Sequence, residues 1–204
     1  MRLGLFGGTF DPVHYGHLLL AECCREQCRL DQIWFLPALV PPHKRDEEIT
    51  AAEVRAEMLE LAIGGHKSLA VSRMEIERGG VSYSVETLES LATEDPTREL
   101  YFLMGADSLA DLPTWMQPAR IGQLATIVVI RRSGFPEPDF APLSGIADAE
   151  TIERFREHQV EMPRMDLSST EIRRRAAKGM SIRYRTPRAV EKYIETHRLY
   201  RPED

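Results

Sequence analysis

The 204-residue sequence has few of the features that mark secreted, membrane-spanning or polyanion-binding proteins. It contains only three cysteines, and no apolar run approaches the roughly eighteen residues that a membrane span needs. The first residues already read as a strand, so we expect no signal peptide. A formal net charge of −6 disfavours a general nucleic-acid binder. These absences favour a cytoplasmic enzyme with neither a nucleic-acid nor a membrane partner.

The three cysteines, Cys23, Cys24 and Cys28, fall on the first predicted helix. His17, Cys24 and Cys28 share one helical stripe, which would suit zinc if they were closer together. However, the seven residues from His17 to Cys24 span about 10 Å along a helix axis, whereas zinc ligands all lie within roughly 2.3 Å of one ion. We therefore expect buried, reduced thiols, as in a reducing compartment, and no metal site built by the protein alone.

The charge is distributed unevenly along the chain. From Arg164 to Arg201, eleven lysines and arginines stand against four acidic residues, so a basic segment ends an otherwise acidic chain. This asymmetry favours a site for an anionic small molecule over a surface for a polyanion. Several of the charges, such as Arg174, Arg175 and Lys178, fit a solvated helix face equally well.

Strand and helix patterns alternate along the chain. Strands are predicted at 3–7, 32–36, 69–72, 99–104 and 125–131, and helices at 14–28, 51–63, 84–92, just after Asp107, and at 118–123. This alternation predicts an α/β, Rossmann-like, doubly wound parallel sheet with helices on both faces. We expect one domain over 1–204 with a small C-terminal helical region at about 166–204, and a surface insertion at 133–149.

The most informative segment is 7–17, with the sequence G-G-T-F-D-P-V-H-Y-G-H. Gly7-Gly8 would permit a tight turn and a close approach of the backbone to a ligand. Asp11-Pro12 predicts a helix start, with the aspartate as N-cap and the proline in the first turn. His14 and His17 would then share one face of that start. A helix N-terminus beside two imidazoles is suited to bind phosphate.

A second candidate for phosphate binding lies at 166–173. Ser168 and Glu171 have the spacing of a capping box, which predicts a helix start with exposed hydroxyl and N–H groups. Arg173, one turn into that helix, can reach anionic oxygens with its planar guanidinium. Capping boxes are frequent and most are purely structural. Together, however, two such helix starts would suit a nucleoside triphosphate.

Four further residues are candidates for substrate binding, and two of them, Asp107 and Trp115, fall near the carboxyl edge of the predicted sheet. Lys44 ends the stiff P-P-H-K loop and could meet a substrate phosphate, although a solvated lysine is the alternative. Thr87 lies in the first turn of the helix after G-G-V-S-Y-S. Asp107, in the G-A-D that follows a buried strand, is placed for ribose hydroxyls. Trp115 offers a flat stacking surface, unless it belongs to the core.

Taken in order, the motifs resemble those of the bacterial nicotinate-nucleotide adenylyltransferases. They are G-G-T-F-D-P-V-H-Y-G-H, P-P-H-K, G-G-V-S-Y-S-V-E-T-L, G-A-D-S-L, S-S-T-E-I-R and S-I-R-Y, with Trp115 ten residues after the glycine of G-A-D. H-Y-G-H itself is similar to the H-x-G-H signature of the nucleotidyltransferase superfamily. The chain departs from the family at Arg132-Ser133, where the family often has Arg-Pro, and at Arg185-Thr186.

The resemblance implies transfer of AMP from ATP to nicotinate mononucleotide, giving deamido-NAD and pyrophosphate in NAD biosynthesis. Magnesium would arrive with ATP, and the implied catalytic residues are His14, His17 and Arg173. The implied ATP-binding residues are Gly7, Gly8, Thr9, Phe10, Gly16, Ser169, Thr170 and Arg173. The implied residues for nicotinate mononucleotide are Lys44, Thr87, Gly105, Asp107 and Trp115. A homo-oligomer is compatible with the sequence, which does not determine the oligomeric state.

Three other hypotheses remain. Phosphopantetheine adenylyltransferases share the reaction type, but they usually have threonine where His14 stands and lack the S-S-T-E-I-R and S-I-R-Y motifs. A fragment of an aminoacyl-tRNA synthetase would need a lysine-rich second signature, which this short chain does not have. A nucleotide-binding sensor would bind ATP without releasing pyrophosphate, and such a protein would not need both histidines.

Overall fold

A computed structural model of the chain describes residues 1–45, 47–132, 134 and 136–201, with only the backbone of Arg132. Its strands are β1 (Arg2–Gly8), β2 (Gln32–Pro37), β3 (Leu69–Val71), β4 (Glu99–Gly105), β5 (Thr126–Arg132) and β6 (Gln159–Met162). Its α-helices are α1 (Tyr15–Gln27), α2 (Ala52–Ile63), α3 (Met74–Arg78), α4 (Ser84–Glu94), α5 (Ala106–Asp111), α6 (Pro118–Leu124), α7 (Ala149–Glu157), α8 (Ser169–Ala177) and α9 (Arg188–Thr196).

The six strands form one parallel sheet in the order β3-β2-β1-β4-β5-β6. The chain moves outward from β1 through β2 to β3, then returns to place β4 on the other side of β1. The order therefore reverses between β1 and β4. In open α/β sheets, the crevice beyond the carboxyl ends of the strands at such a reversal is the usual place for a ligand.

The strands are buried on both faces, which explains their nearly continuous apolar sequences. On β4, Leu100, Phe102 and Met104 point into one core, while Tyr101 and Leu103 point into the other. Side chains of α4, α5, α6 and α7 cover the first core, and those of α1, α2, α8 and α9 cover the second. The predicted doubly wound Rossmann-like sheet, with helices on both faces, is confirmed.

The predicted elements agree with the structure to within a few residues at each end, but α3, α7 and β6 were not predicted. The expected surface insertion at 133–149 is partly wrong, because Phe140 and Leu143 are buried in the core beneath α4 to α7. Ser133 and residue 135 lie outside the described residues. One local signal for α7 was present, since Asp148 caps that helix by accepting a hydrogen bond from the Thr151 N–H at 2.8 Å.

The cysteines differ in their surroundings. Cys24 and Cys28 are buried, as expected, while Cys23 is only half-buried and Cys28 lies just beyond the end of α1. Burial raises the pKa of the Cys24 and Cys28 thiols, which keeps them protonated.

Among the residues that the structure describes, no group of three or more His, Cys, Asp or Glu could hold a metal ion. No described helix is both long and apolar enough to cross a membrane.

Gly8, the last residue of β1, provides a test of packing at the end of this strand. A Cβ at this position would lie 2.9 Å from the Phe10 ring, so we expect Gly8→Ala to lower the free energy of unfolding by about 1–3 kcal/mol. Gly7→Ala is the matched control, because a Cβ there meets nothing within 4 Å. Urea unfolding of both variants measures the difference, and equal losses would contradict this steric explanation.

Candidate active site

The helix after β1 begins later than the sequence predicts. Asp11 is not the N-cap, and Pro12 does not lie in the first helical turn, because α1 begins at Tyr15 with His14 as its N-cap. The Asp11 carboxylate is buried and accepts hydrogen bonds from the Thr50 N–H at 3.2 Å and the Tyr200 hydroxyl at 2.7 Å. A carboxylate occupied in this way is not free to cap a helix.

The two histidines at the start of α1 stack on one another. Their ring centroids are 3.7 Å apart and the planes differ by 17°. A Cβ at Gly16 would come within 3.0 Å of the His14 ring, which explains a glycine between the two histidines. Phe10 packs edge-on against His17, with centroids 5.1 Å apart, and it has a left-handed backbone with φ of 50°. The turn therefore forms its bend at Phe10 and not at the preceding glycines.

The surroundings of His17 determine its protonation state and its tautomer. Burial, and secondarily the charge of a protonated His14, lower the pKa of His17 well below 6.5. Its Nδ1 accepts a hydrogen bond from the His14 backbone N–H at 3.3 Å. In a neutral imidazole the proton must then lie on Nε2. His17 is thus a neutral hydrogen-bond donor at neutral pH.

Side chains from distant parts of the chain donate to the backbone carbonyl groups of this turn. The bonds are Arg55 Nη1 to Thr9 O at 2.6 Å, Arg173 Nη1 to Asp11 O at 2.7 Å, Ser169 Oγ to Pro12 O at 2.9 Å, and Thr186 Oγ1 to Val13 O at 2.7 Å. Three of the four donors come from the basic C-terminal region. That region therefore holds the shape of the turn, in addition to any contact it makes with a ligand.

A cavity of about 400 Å³ lies beyond the carboxyl ends of β1, β4, β5 and β6, and we call it the histidine pocket. Its described lining comes from the start of α1, the start of α5, the end of β5 and the start of α8. These residues are His14, Gly16, His17, Leu20, Gly105, Ala106, Asp107, Ile130, Arg131, Pro136, Met162, Met165, Leu167, Ser168 and Ser169. The pocket lies at the reversal of strand order, and the starts of α1 and α8 both contribute to it.

The start of α8 agrees with the predicted capping in part. Ser168 Oγ accepts a hydrogen bond from the Glu171 N–H at 3.2 Å, which is one half of a capping box. Among the described residues, the Glu171 carboxylate does not accept from the Ser168 N–H to complete the box. It accepts instead from the Arg174 guanidinium, at 2.7 and 2.8 Å. The Ser169 and Thr170 N–H groups, at the start of this helix, lack intrahelical acceptors. They are available to an anion.

A second cavity, of about 260 Å³, contains Trp115 and is called the tryptophan pocket. Two loops and the start of α4 form its walls. The lining residues are Pro42, His43, Arg45, Ser82, Tyr83, Ser84, Thr114, Trp115, Met116 and Ile121. Arg45 donates to the Tyr83 hydroxyl at 2.5 Å, and Trp115 is half-buried. The pocket thus combines an aromatic surface, a cation and a helix N-terminus.

The two pockets account for only part of the predicted site. His14, Gly16, His17, Gly105, Asp107 and Ser169 line the histidine pocket, and Trp115 lines the tryptophan pocket. The structure does not place Gly7, Gly8, Thr9, Phe10, Thr170 or Arg173 in the described lining of either pocket. Thr9, Phe10 and Arg173 instead shape the turn. A Cβ at Gly7 would meet nothing within 4 Å, so its backbone remains open to a ligand.

Two predicted residues are already engaged within the protein. The Lys44 ammonium lies 3.4 Å from the Glu47 carboxylate and outside the described lining of the tryptophan pocket. Thr87 is 1% exposed, and its hydroxyl donates to Glu75 at 2.7 Å while accepting from Arg78 at 3.1 Å. The Thr87 side chain therefore cannot face a ligand in this conformation.

Sequence reasoning missed several pocket residues. Arg45 follows P-P-H-K directly and lines the tryptophan pocket in place of Lys44. Ser84 begins α4 there, and its position just after G-G-V-S-Y was an available signal. Arg131, at the end of β5, lines the histidine pocket beside Glu137 and Glu161, at 3.6 and 3.4 Å. No local motif marks Arg131, because only the sheet places it there.

Comparison with known proteins identifies the family. The cytidylyltransferase-like family model matches residues 5–175. A protein from Thermomicrobium roseum is 45% identical over 200 residues, covering 98% of this chain and 92% of that protein. A Thermus thermophilus protein is 44% identical over 201 residues, covering 98% of this chain and all of that protein. Both relatives are described as probable nicotinate-nucleotide adenylyltransferases. This chain belongs to the nicotinate-nucleotide adenylyltransferase family.

Comparison with solved structures shows the same fold at low sequence identity. The Plasmodium falciparum nicotinic acid mononucleotide adenylyltransferase complexed with NaAD superimposes with a TM-score of 0.77 at 18% identity. The match covers 98% of this chain and 97% of that one. At so low an identity the likeness concerns the fold alone, and it agrees with the six-stranded parallel sheet described above.

The lowered pKa of His17 predicts a pH dependence of stability. As pH falls below about 6.5, the unfolded chain takes up a proton that the buried ring resists, so the free energy of unfolding decreases. Relative to His17→Gln, we expect the wild-type protein to lose up to about 1.4 kcal/mol per pH unit until the pH passes the lowered pKa. Urea unfolding of both proteins from about pH 8 to about pH 5 measures the difference. Parallel curves would contradict the prediction.

Proposed function

We propose that the protein transfers the adenylyl group of ATP to nicotinate mononucleotide, releasing pyrophosphate and deamido-NAD. The observation that carries this proposal is the stacked pair His14 and His17 at the start of α1. The pair faces a cavity at the reversal of strand order. The family to which the chain belongs supports the choice of substrates.

The histidine pocket is the proposed site of ATP. The triphosphate would lie between the starts of α1 and α8, whose N–H groups and dipoles favour anions. Ser169 and Thr170 would donate to the β- and γ-phosphates. Arg173 donates to Asp11 O through Nη1, and among the described residues its other N–H groups have no hydrogen-bond acceptor, so they can assist there.

The chemistry requires positioning and charge stabilisation more than proton transfer. The attacking phosphate monoester has a second pKa of about 6, so it is largely a dianion near neutral pH and needs no general base. In our proposal His17 donates its Nε2 proton as a hydrogen bond to a nonbridging oxygen of the α-phosphate, and His14 stabilises the same charge from the adjacent ring. Such preorganised donors are most effective where charge develops in the transition state.

Magnesium enters this proposal as part of the substrate MgATP. Asp107 is the one carboxylate among the described lining residues of the histidine pocket. So few carboxylates suit a magnesium ion that arrives with ATP, keeps several waters and is held chiefly by the phosphates.

Asp107 is assigned to the ribose of the acceptor and not to the ion. The exposed start of α5 can reach this ribose, with Gly105 beside it.

The tryptophan pocket is the proposed site of the pyridine ring. Trp115 offers its face for stacking. The N–H groups at the start of α4, near Ser84, can receive the ring carboxylate, whereas the Thr87 hydroxyl, implied for this substrate by the sequence, is turned away from it. Arg45 or Lys44 would neutralise the acceptor phosphate, and for Lys44 this requires release from Glu47.

We expect His17→Ala to lower kcat by about a hundredfold or more while changing ATP affinity much less, because the donor acts mainly in the transition state. Steady-state kinetics and a separate ATP-binding titration would separate the two effects. Lys67→Ala, at an exposed turn before β3 and at the opposite end of the sheet from the histidines, serves as a control for handling and purity. A loss of less than about threefold in kcat would remove His17 from this role.

Pyrophosphate release with MgATP tests the acceptor directly. Nicotinate mononucleotide, nicotinamide mononucleotide and phosphopantetheine are offered separately to the purified protein. Release with nicotinate mononucleotide is expected, whereas release with phosphopantetheine alone would overturn the acceptor assignment. ATP binding without release in any mixture would indicate a nucleotide-binding protein that does not turn over.

A further inference from the structure

A cluster of buried polar side chains lies behind the tryptophan pocket. Glu75, Ser82 and Thr87 are 5%, 6% and 1% exposed, respectively. A buried carboxylate is costly unless hydrogen bonds compensate for its lost hydration. The hydrogen bonds of this cluster therefore connect the segments of chain that carry it.

The Glu75 carboxylate is the centre of this cluster. It accepts a hydrogen bond from the Thr87 hydroxyl at 2.7 Å, and the nearby Ser82 hydroxyl also favours its charged form. Arg78 donates to the Thr87 hydroxyl at 3.1 Å. Burial raises the pKa of Glu75, while the Thr87 and Ser82 hydrogen bonds and the charge of Arg78 oppose this shift. The carboxylate thus joins α3, α4 and the loop between them.

Ser82 extends the connection to the opposite wall of the pocket. Its Oγ accepts a hydrogen bond from the Leu39 N–H at 2.9 Å, and its own N–H donates to Val40 O at 3.0 Å. Val40 also forms a parallel bridge with Val81. Leu39 and Val40 lead directly into the turn that carries His43 and Arg45. The 39–45 loop and the start of α4, which form two of the walls of the tryptophan pocket, are therefore held together through Ser82.

We propose that Glu75, acting through the Ser82 and Thr87 hydroxyls, is a positioning residue that sets the spacing between the 39–45 loop and the start of α4 in the tryptophan pocket. This inference rests on the proposed function for its substrate, nicotinate mononucleotide. Glu75 and Thr87 are buried, and we assign them no contact with a ligand. They determine how well Trp115, Arg45 and the start of α4 converge on the pyridine nucleotide.

The test compares Thr87→Val with Thr87→Ser. Valine is nearly isosteric but removes the hydroxyl, which leaves Glu75 without one donor and Arg78 Nη1 without this acceptor, while Arg78 Nε keeps its ion pair with Glu86 at 3.4 Å. We expect Thr87→Val to raise KM for nicotinate mononucleotide about tenfold, the size expected when one partner of a buried hydrogen bond is lost. KM for ATP should change less than about twofold, because the histidine pocket does not depend on this cluster. Thr87→Ser should restore most of the loss.

Leu91→Ala is the matched control for a general loss of stability. Leu91 is buried in the same helix, one turn beyond Thr87, and packs in the core covered by α4 to α7. It should lower Tm without raising KM for nicotinate mononucleotide when assayed well below Tm. Equal rises in the two KM values for Thr87→Val, or a failure of Thr87→Ser to restore binding, would overturn the positioning role.

Hydrogen exchange gives a readout that does not depend on the reaction. In Thr87→Val and in Ser82→Ala, amides of segments 38–45 and 81–86 should exchange faster, while those of α8 should not change. Unchanged exchange in both variants would overturn the inference. If the wild-type protein releases no pyrophosphate with nicotinate mononucleotide, the proposed function fails, and the exchange measurement still decides the positioning role.

Discussion

The structure depends on side-chain donors that satisfy the backbone carbonyl groups around the turn after β1. Arg55, which is completely buried, donates to the carbonyl oxygens of Thr9, Ala38 and Thr50 at 2.6 to 2.7 Å. It thereby joins the turn after β1, the loop after β2 and the start of α2. Buried carbonyl groups without donors would cost several kcal/mol in total. The irregular backbone at the histidines is stable because these donors reach it.

The reversal of strand order explains how distant residues share one site. β1 and β4 are neighbours in the sheet, so the histidines after β1 and Asp107 after β4 meet at the same edge. The end of β6 brings the start of α8 to the remaining side. The basic C-terminal segment consequently supports the turn through Ser169 and Arg173, and Ser169 also lines the histidine pocket.

Much of the fold could be predicted from local sequence. The apolar, β-branched run of β5 and the alternation of strands and helices are strong signals, because burial on both faces requires them. Few buried apolar residues lie within the elements that were missed, namely none in α3, Phe155 in α7, and Val160 and Met162 in β6, so the sequence carries little apolar period there. Asp11 was misjudged because its carboxylate is occupied by Thr50 and Tyr200, which no local pattern reveals.

The sequence by itself determined the kind of site: a glycine-rich turn, a histidine pair and a second helix start, with spacings that suit a triphosphate. Only the tertiary structure decided which side chains are free to act. Thr87 and Lys44 have suitable chemistry, yet one is bonded to Glu75 and the other paired with Glu47. The physical reason is that local spacing specifies where a group lies on its own element. Its availability, however, depends on partners that long-range packing brings to it.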